Sequence, residues 1–362
     1  MDIPSLIIRV DADQTIGTGH AMRCLALAQA WVSSGGEVTV STADMPDGIR
    51  DRYRDIRARV VDHRFKPGSR EDASWTIGLA HDLIADWTVV DGPAFGPSFF
   101  EPLSTEPVPV LLLDDQGALR RYSVRLILNQ NRHSDPKLYQ SKGTAGLLLG
   151  LDFVLLRQEF NKWRDWERPI APIARNLLVV LGGADPENRT KGILRDLATV
   201  LSARPDGDVF SVRVIVGAAN PRAKDLALTA AELPMQAELL HDVSDMAEQY
   251  SWCDLAISSA GSAVWELAML GTPMILGAQI PVEEILAHDL ARTGACLYLG
   301  PFSKLETDKL SSSVARLIDD PRRREAMSQS ARGLVDGQGA ERVVRRMREI
   351  TTRARSEAEG AQ

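Results

Sequence analysis

Short apolar runs alternate along this chain with stretches whose apolar positions recur at helical spacing. Leu6-Ile7-Ile8, followed by Arg9-Val10, predicts a buried strand, and Ala21 to Val32 predicts the helix after it. Ser33-Ser34-Gly35-Gly36 then stops that helix with residues that tolerate left-handed backbone. Val38 to Val40, Thr88 to Val90, Val110 to Leu113 and Leu126 to Leu128 predict further strands. Runs that are apolar throughout, with helices between them, suit a parallel sheet covered on both faces.

The pattern breaks and restarts. Between Gly150 and Pro172 lies Trp163-Arg164-Asp165-Trp166-Glu167-Arg168-Pro169, which is polar, aromatic and proline-rich. Asn176 to Leu181 then opens a second series, continued by Val212 to Val216, Leu255 to Ile257 and Pro273 to Leu276. From Ser311 the chain reads as charged helix, with Ser356 to Gln362 expected to fray. The expected organisation is an N-terminal Rossmann-like domain over 1–160, a second over 173–330 and a helical extension over 331–362. Two doubly wound α/β domains facing a cleft would follow, with ligands at the carboxyl ends of the strands.

Composition narrows the class. At 362 residues the chain exceeds the usual single core, and 44% apolar with 25% charged residues is globular composition. No apolar run is long enough to span a bilayer, and Met1 to Val10 lacks the basic start and long apolar middle of a secretory signal. Cys24, Cys253 and Cys296 form neither a metal spacing nor an even disulfide set, which fits a cytoplasmic protein. A net charge of −7 argues against a nucleic-acid partner and leaves a local anion site open. The expectation is an enzyme without metal or cofactor and without stable membrane association. Its oligomeric state is not readable.

Strand one empties into Asp11-Ala12-Asp13-Gln14-Thr15-Ile16-Gly17-Thr18-Gly19-His20, and a helix starts at once. Gly17 and Gly19 let backbone approach a ligand closely. His20 falls at the helix start, where free amides and the dipole favour anions and neutral imidazole, the form a general base needs. Arg23 follows one turn on, placed to meet a negative group. Other readings compete. The position of a third dinucleotide-loop glycine holds Met22, Asp11-Ala12-Asp13 has the form of an Asp-x-Asp metal motif or of plain turn residues, and His20 could simply cap a helix. From this segment alone, catalytic and structural readings both stand.

In the second half, Leu177 to Leu181 opens into Gly182-Gly183-Ala184-Asp185-Pro186, with a helix expected from about Arg189 or Thr190. Its amides could cradle a diphosphate, although glycine pairs end many strands. Ile257-Ser258-Ser259-Ala260-Gly261-Ser262 leads into a helix that Ser262 would cap, with Glu266 able to accept ribose hydroxyls. A serine cap with an acidic first turn would equally serve any helix. Two such loops in one domain tilt the reading towards a nucleotide. His63 and His133 fall in polar surroundings and read as surface residues, and Trp75, Trp87, Trp163 and Trp166 as packing or linker residues.

These segments, in this order, resemble the UDP-2,4-diacetamido-2,4,6-trideoxy-β-L-altropyranose hydrolases of pseudaminic acid biosynthesis. The resemblance rests on Arg9-x-Asp11, Ile16-Gly17-x-Gly19-His20-x-x-Arg23 and Leu27-Ala28. It continues through Asp91, Asp114-Asp115, Asn129 and Leu155-Leu156-Arg157-Gln158-Glu159-Phe160. In the second half it takes in Gly182-Gly183-x-Asp185, Asn220-Pro221 and Ser258-Ser259 through Glu266. That half is also similar to the UDP-GlcNAc transferase of peptidoglycan synthesis, and both families have the GT-B fold. The resemblance implies a UDP-sugar substrate and a UDP product. It places Gly182, Gly183 and Ser262 near the diphosphate, Glu266 at the ribose, the region around Gly217 and Met246 near uracil, and Ser259 among the UDP-binding residues. It also implies His20 as the base that activates water, inversion at the anomeric carbon, and Asp11 orienting the base. Arg9, Gly17, Gly19, Arg23, Asp91, Asp115 and Asn129 would bind the sugar side. The chain departs from the family at Pro281-Val282-Glu283 and at Gly92-Pro93-Ala94-Phe95, so the exact sugar is less constrained than the nucleotide. Two other classes stay in view: a GT-B glycosyltransferase whose base serves an acceptor hydroxyl, and a nucleotide-sugar-binding protein without catalysis.

Overall fold

The computed structural model describes residues 3–140, 142–306 and 308–360. Met1, Asp2 and the last two residues of the expected fraying tail lie outside them. The chain divides into two compact units, one of 1–16, 20–158 and 337–362, the other of 17–19 and 159–336.

In the first unit, β1 (Ser5–Val10), α1 (Gly19–Ser33), β2 (Glu37–Thr42), α2 (Asp47–Asp55), β3 (Arg59–Asp62), α3 (Arg70–Asp82) and β4 (Trp87–Asp91) alternate. Then follow α4 (Pro97–Leu103), β5 (Val110–Leu113), β6 (Leu126–Asn129) and β7 (Gly146–Leu149). Among the described residues these strands form one parallel seven-stranded sheet, ordered β3-β2-β1-β4-β5-β6-β7. The central strands β1, β4, β5 and β6 are buried almost end to end, as covering on both faces requires. One core packs α1 onto the sheet through Ala21, Cys24, Leu25, Ala28 and Trp31, and Phe95, Phe99 and Phe100 build another with Val90, Leu112 and Ile127. The order reverses at β1, which has β2 on one side and β4 on the other. That is the switch point at which open α/β sheets hold ligands.

The second unit repeats the plan: β8 (Asn176–Val180), α5 (Arg189–Ser202), β9 (Ser211–Val216), α6 (Ala223–Glu232), β10 (Ala237–His241), α7 (Met246–Trp252) and β11 (Leu255–Ser259). Next come α8 (Ala263–Met269), β12 (Met274–Ala278), α9 (Pro281–Arg292), β13 (Cys296–Pro301), α10 (Lys309–Ile318) and α11 (Pro321–Arg332). Its parallel sheet is ordered β10-β9-β8-β11-β12-β13, so the switch point lies between β8 and β11.

The last helix, α12 (Gly339–Gly360), corrects the expectation of an appended extension over 331–362. It packs into the first unit, with Val343, Val344 and Met347 in the core beside α1 and Thr351 accepting the indole N–H of Trp87 at 2.9 Å. Helix continues through Ser356–Gly360, where fraying was expected.

The polar segment near the start of the second unit's main stretch is tightly built. Trp163 and Trp166 stack edge to face at 5.0 Å, and the Arg168 guanidinium lies 5.0 Å from the Trp166 ring centre. Arg168 donates to the carbonyls of Tyr250, Cys253 and Leu270 and to the Thr272 hydroxyl. Burial disfavours its charged form, and these four acceptors offset that cost. Arg168→Ala should therefore lower stability by about 3 kcal/mol, since hydrogen bonds to a charged group contribute ~1.5–3 kcal/mol and buried acceptors are left unmet. Urea unfolding checks it; an unchanged midpoint would show that the carbonyls find other donors.

Candidate functional site

The carboxyl edge of the first sheet gathers the residues that follow β1, β4, β5 and β6. Gly17 is left-handed (φ +74°), which lets the loop after β1 turn into α1 at Gly19. His20, second residue of that helix, keeps a quarter of its side chain in contact with solvent. Its Nδ1 lies 2.8 Å from Oδ1 of Asp91, the fully buried last residue of β4. Arg23, one turn along α1, grips the same carboxylate: Nε to Oδ2 at 2.6 Å and Nη2 to Oδ1 at 2.7 Å. Its remaining Nη1 meets both oxygens of Asp115 at 2.9 Å.

This arrangement fixes the proton on the ring. A bare Nδ1 lone pair cannot face a carboxylate oxygen at 2.8 Å, so Nδ1 carries the hydrogen and donates it to Asp91. The approach of Arg23 Nη2 to Nδ1 at 3.2 Å is then a contact between two donors that share Oδ1. Neutral His20 accordingly keeps its lone pair on Nε2, the tautomer a base requires. Burial pushes the Asp91 carboxyl up, but the charges and hydrogen bonds of Arg23 and His20 outweigh it and hold the group well below the usual carboxylate range. Cys24 adds a thiol 3.5 Å from Oδ2, and its own titration is pushed far up by burial and by Asp91.

Three expected roles need correcting. Asp11 does not orient His20. Its Oδ1 accepts from Arg9 Nη1 at 2.7 Å, from the Ala43 amide at 2.7 Å and from the Thr42 hydroxyl at 3.2 Å. Burial opposes its ionisation, and these donors outweigh burial and lower its titration. Arg9 is no substrate ligand: it is fully buried, forked onto Asp72 at 2.8 and 2.9 Å, and lies over the Phe95 ring. A guanidinium with no exposed surface has nothing to offer a ligand. Asn129 is likewise buried, with its amide donating to the Tyr139 hydroxyl at 3.0 Å and its oxygen accepting twice from Asn131. Asn131 is the group that reaches the cluster, donating to Asp115 at 2.9 Å. The sequence reading missed it, although an Asn-x-Asn just past a strand end was the available signal. Asp114 serves the turn, accepting from the amides of Gln116 and Gly117 and from the Tyr122 hydroxyl. His63, expected at the surface, is buried against Phe65 and Trp75 beside Asp72.

In the second unit, the candidate nucleotide residues lie at the switch point. Gly182 (φ +78°) and Gly183 follow β8, Gly217 follows β9, and Ser259 closes β11. The loops touch: the Ala219 amide donates to the Gly183 carbonyl at 3.0 Å, and a Cβ on Gly217 would fall 2.4 Å from that oxygen. One expectation changes here. Asp185 caps α5 itself, its carboxylate taking the amides of Arg189 (2.8 Å) and Thr190 (3.0 Å) and the Thr190 hydroxyl (2.6 Å). The α5 end is therefore already filled by the chain's own anion. Ser262 stands at the cap position of α8, yet its exposed hydroxyl makes no capping bond. Glu266 on α8 accepts from the Tyr250 hydroxyl at 3.0 Å, and Met246 is buried at the start of α7. Glu283, at the position where the chain departs from its resemblance, takes the Gln279 amide at 2.7 Å, and burial raises its titration.

Among the described residues no group of three His, Cys, Asp or Glu side chains is placed to hold a metal ion. No helix among them is long and apolar enough to cross a membrane.

Two parallel Rossmann-like sheets of this kind define an α/β protein of GT-B fold. The Acinetobacter baumannii MurG structure superposes with a TM-score of 0.63 over 96% of this chain and all of that one, at 16% identity. Residues 177–345 match the Glycosyltransferase family 28 C-terminal domain. The chain is 25% identical over 239 residues to the Bacillus subtilis spore coat polysaccharide biosynthesis protein SpsG, covering 66% of this chain and 68% of that protein. It is 32% identical over 203 residues to the Methylococcus capsulatus UDP-N-acetylglucosamine--N-acetylmuramyl-(pentapeptide) pyrophosphoryl-undecaprenol N-acetylglucosamine transferase. That match spans about half of each protein, 52%. The second half of the chain is thus similar to a glycosyltransferase family 28 C-terminal domain, and the MurG likeness shows the shared fold.

Proposed function

We propose that this protein is an inverting UDP-sugar enzyme whose base is His20, and that its substrate is a UDP-linked 2,4-diacetamido-2,4,6-trideoxyhexose hydrolysed to free sugar and UDP. The observation that carries the reading is the Asp91–His20 pair, which places the lone pair of a neutral, partly exposed ring on Nε2. Nε2 takes a proton from water as the water oxygen bonds to the anomeric carbon. The bond from that carbon to the diphosphate oxygen breaks, and UDP leaves with the electron pair. Asp91 and Arg23 hold the ring while its positive charge develops. In the second unit, Gly182, Gly183, Ser259 and Ser262 receive the diphosphate, Glu266 the ribose, and Gly217 with Met246 the uracil side. A family 28 C-terminal domain and a relative whose name specifies a UDP-N-acetylglucosamine transferase support a UDP donor.

The same match favours a second reading, glycosyl transfer, in which Nε2 takes the proton of an acceptor hydroxyl. The nucleophile alone separates the two. Incubating the protein with UDP-2,4-diacetamido-2,4,6-trideoxy-β-L-altrose, chelator and no acceptor tests the choice. Sustained UDP release supports hydrolysis; binding without release rejects it in favour of transfer or another sugar.

Gly217→Ala tests the nucleotide assignment. The added methyl has no room beside the Gly183 carbonyl, so the loops must part at a cost of about 1–3 kcal/mol. Both the melting temperature and UDP affinity should fall. Lower stability with unchanged affinity by calorimetry would remove this edge from the UDP site.

A further inference from the structure

We infer that Asp115 and Asn131 are positioning residues that hold the His20 base through Arg23, rather than contacts to the sugar. This inference rests on His20 being the base. It starts from a continuous run of side chains within the first unit. The Tyr139 hydroxyl takes the Asn129 amide at 3.0 Å, and the Asn129 oxygen takes the Asn131 amide at 3.1 Å. Asn131 in turn donates to Asp115 Oδ1 at 2.9 Å. Asp115 then accepts Arg23 Nη1 on both oxygens, and Arg23 clamps both oxygens of Asp91, one of which holds His20.

Geometry gives the run its purpose. A planar guanidinium held by one carboxylate across Nε and Nη2 and by another at Nη1 has one orientation, because rotation breaks both pairs together. Arg23 is buried, so its plane has no water-bonded alternative. Loss of Asp115 frees Nη1 and lets the plane tilt, which moves the Asp91 oxygen that sets the ring of His20. Asn131 does the same one step further out, since its amide fixes which way the Asp115 carboxylate faces.

Charge points the same way. Asp91 and Asp115 face one Arg23, so the cluster carries one net negative charge beside neutral His20 and none once His20 has taken a proton. Asp115 is the carboxylate that tips this balance, and it thereby favours the imidazolium of the transition state over the resting ring. The family resemblance had implied a substrate ligand at Asp115. Instead both oxygens are occupied by Arg23 and Asn131.

The test uses Asp115→Asn, Asn131→Ala and the conservative Asp115→Glu in the full-length protein, read two ways. With ¹⁵N-histidine labelling, the Nδ1–H proton of His20 bonded to Asp91 gives a downfield resonance, identified by its loss in His20→Gln. Asp115→Asn and Asn131→Ala should shift and broaden it, and Asp115→Glu should restore it in part. In steady state, kcat should drop about ten- to a hundredfold, the scale known for outer partners of metal-bound histidines, with KM nearly unchanged. An unchanged resonance in both variants overturns the inference, as does a rise in KM with kcat intact, which marks a sugar contact. Because the resonance needs no turnover, it decides the positioning role even if the wild-type protein hydrolyses no UDP-sugar, a result that would reject the hydrolase reading alone.

Discussion

His20→Gln lowers the rate of UDP release by about two to four orders of magnitude, the range general-base catalysis supplies. The glutamine side chain still reaches Asp91 through its amide, so the cluster stays filled, but it has no lone pair basic enough to take a proton from water. Binding should survive, because the residues assigned to UDP lie in the second unit. The check is parallel measurement of UDP release and of UDP affinity by calorimetry. A fall in affinity matching the fall in rate would recast His20 as a binding residue.

Asp91→Asn should be as damaging for a different reason. An amide offers one acceptor where the carboxylate offers two, while Arg23 and His20 together need both. If the amide nitrogen turns to His20, Nδ1 must become the acceptor, the ring proton moves to Nε2 and the base is lost. If it turns to Arg23, a guanidinium N–H faces an N–H in a buried site. Either way the rate should fall, towards the ~10⁴-fold seen when an aspartate that sets a histidine tautomer becomes asparagine in a hydrolytic triad. Stability should drop as well, by about 1–3 kcal/mol, since the buried Arg23 loses a charged hydrogen-bond partner and keeps only Asp115. The pH dependence has a definite sign. The native Asp91 carboxyl titrates below its unfolded value, because Arg23 and His20 outweigh the opposing burial. Its contribution is therefore complete above the ordinary carboxylate range and is lost only as pH falls through the depressed native value. The stability gap between wild type and Asp91→Asn should persist at neutral pH and narrow in strong acid. Urea titrations at several pH values would show it, and a gap that widens in acid would refute the assignment.

Much of the fold was legible, and the misses share one cause. The runs at Leu6, Val38, Thr88, Val110, Leu126, Asn176, Val212, Leu255 and Pro273 all mark strands, because strands with a neighbour on each side and helices over both faces must be apolar. The four strands that escaped notice, β3, β7, β10 and β13, are the edges of the two sheets. As edges they are short and unevenly buried: Arg59, Glu238 and Tyr298 interrupt β3, β10 and β13, and β7 offers only Leu147-Leu148-Leu149 between two glycines. The last helix was found, but its place in the first unit depends on Val343 and Met347 meeting α1, a contact that local periodicity does not encode.

At the site, the spacing of His20 and Arg23 on one helix face was readable, and a strand-end aspartate was a fair candidate beside them. What could not be read was which carboxylate meets which base. Asp11 and Asp91 both end central strands that neighbour each other, at β1 and β4. The choice is made by Arg9, whose guanidinium holds both Asp11 and Asp72 of α3, leaving Asp91 to the helix that carries His20. Likewise Asn129 and Asn131 lie two residues apart, and the bond to Tyr139 decides that the first is buried support.

The most direct test of the central claim is time-resolved proton NMR of UDP-2,4-diacetamido-2,4,6-trideoxy-β-L-altrose mixed with the enzyme, chelator and no acceptor. Free sugar should appear first as the inverted α anomer, in step with UDP, and His20→Gln should give no product. UDP release that waits for an added hydroxyl acceptor, a first-formed β anomer, or turnover undiminished in His20→Gln would contradict it.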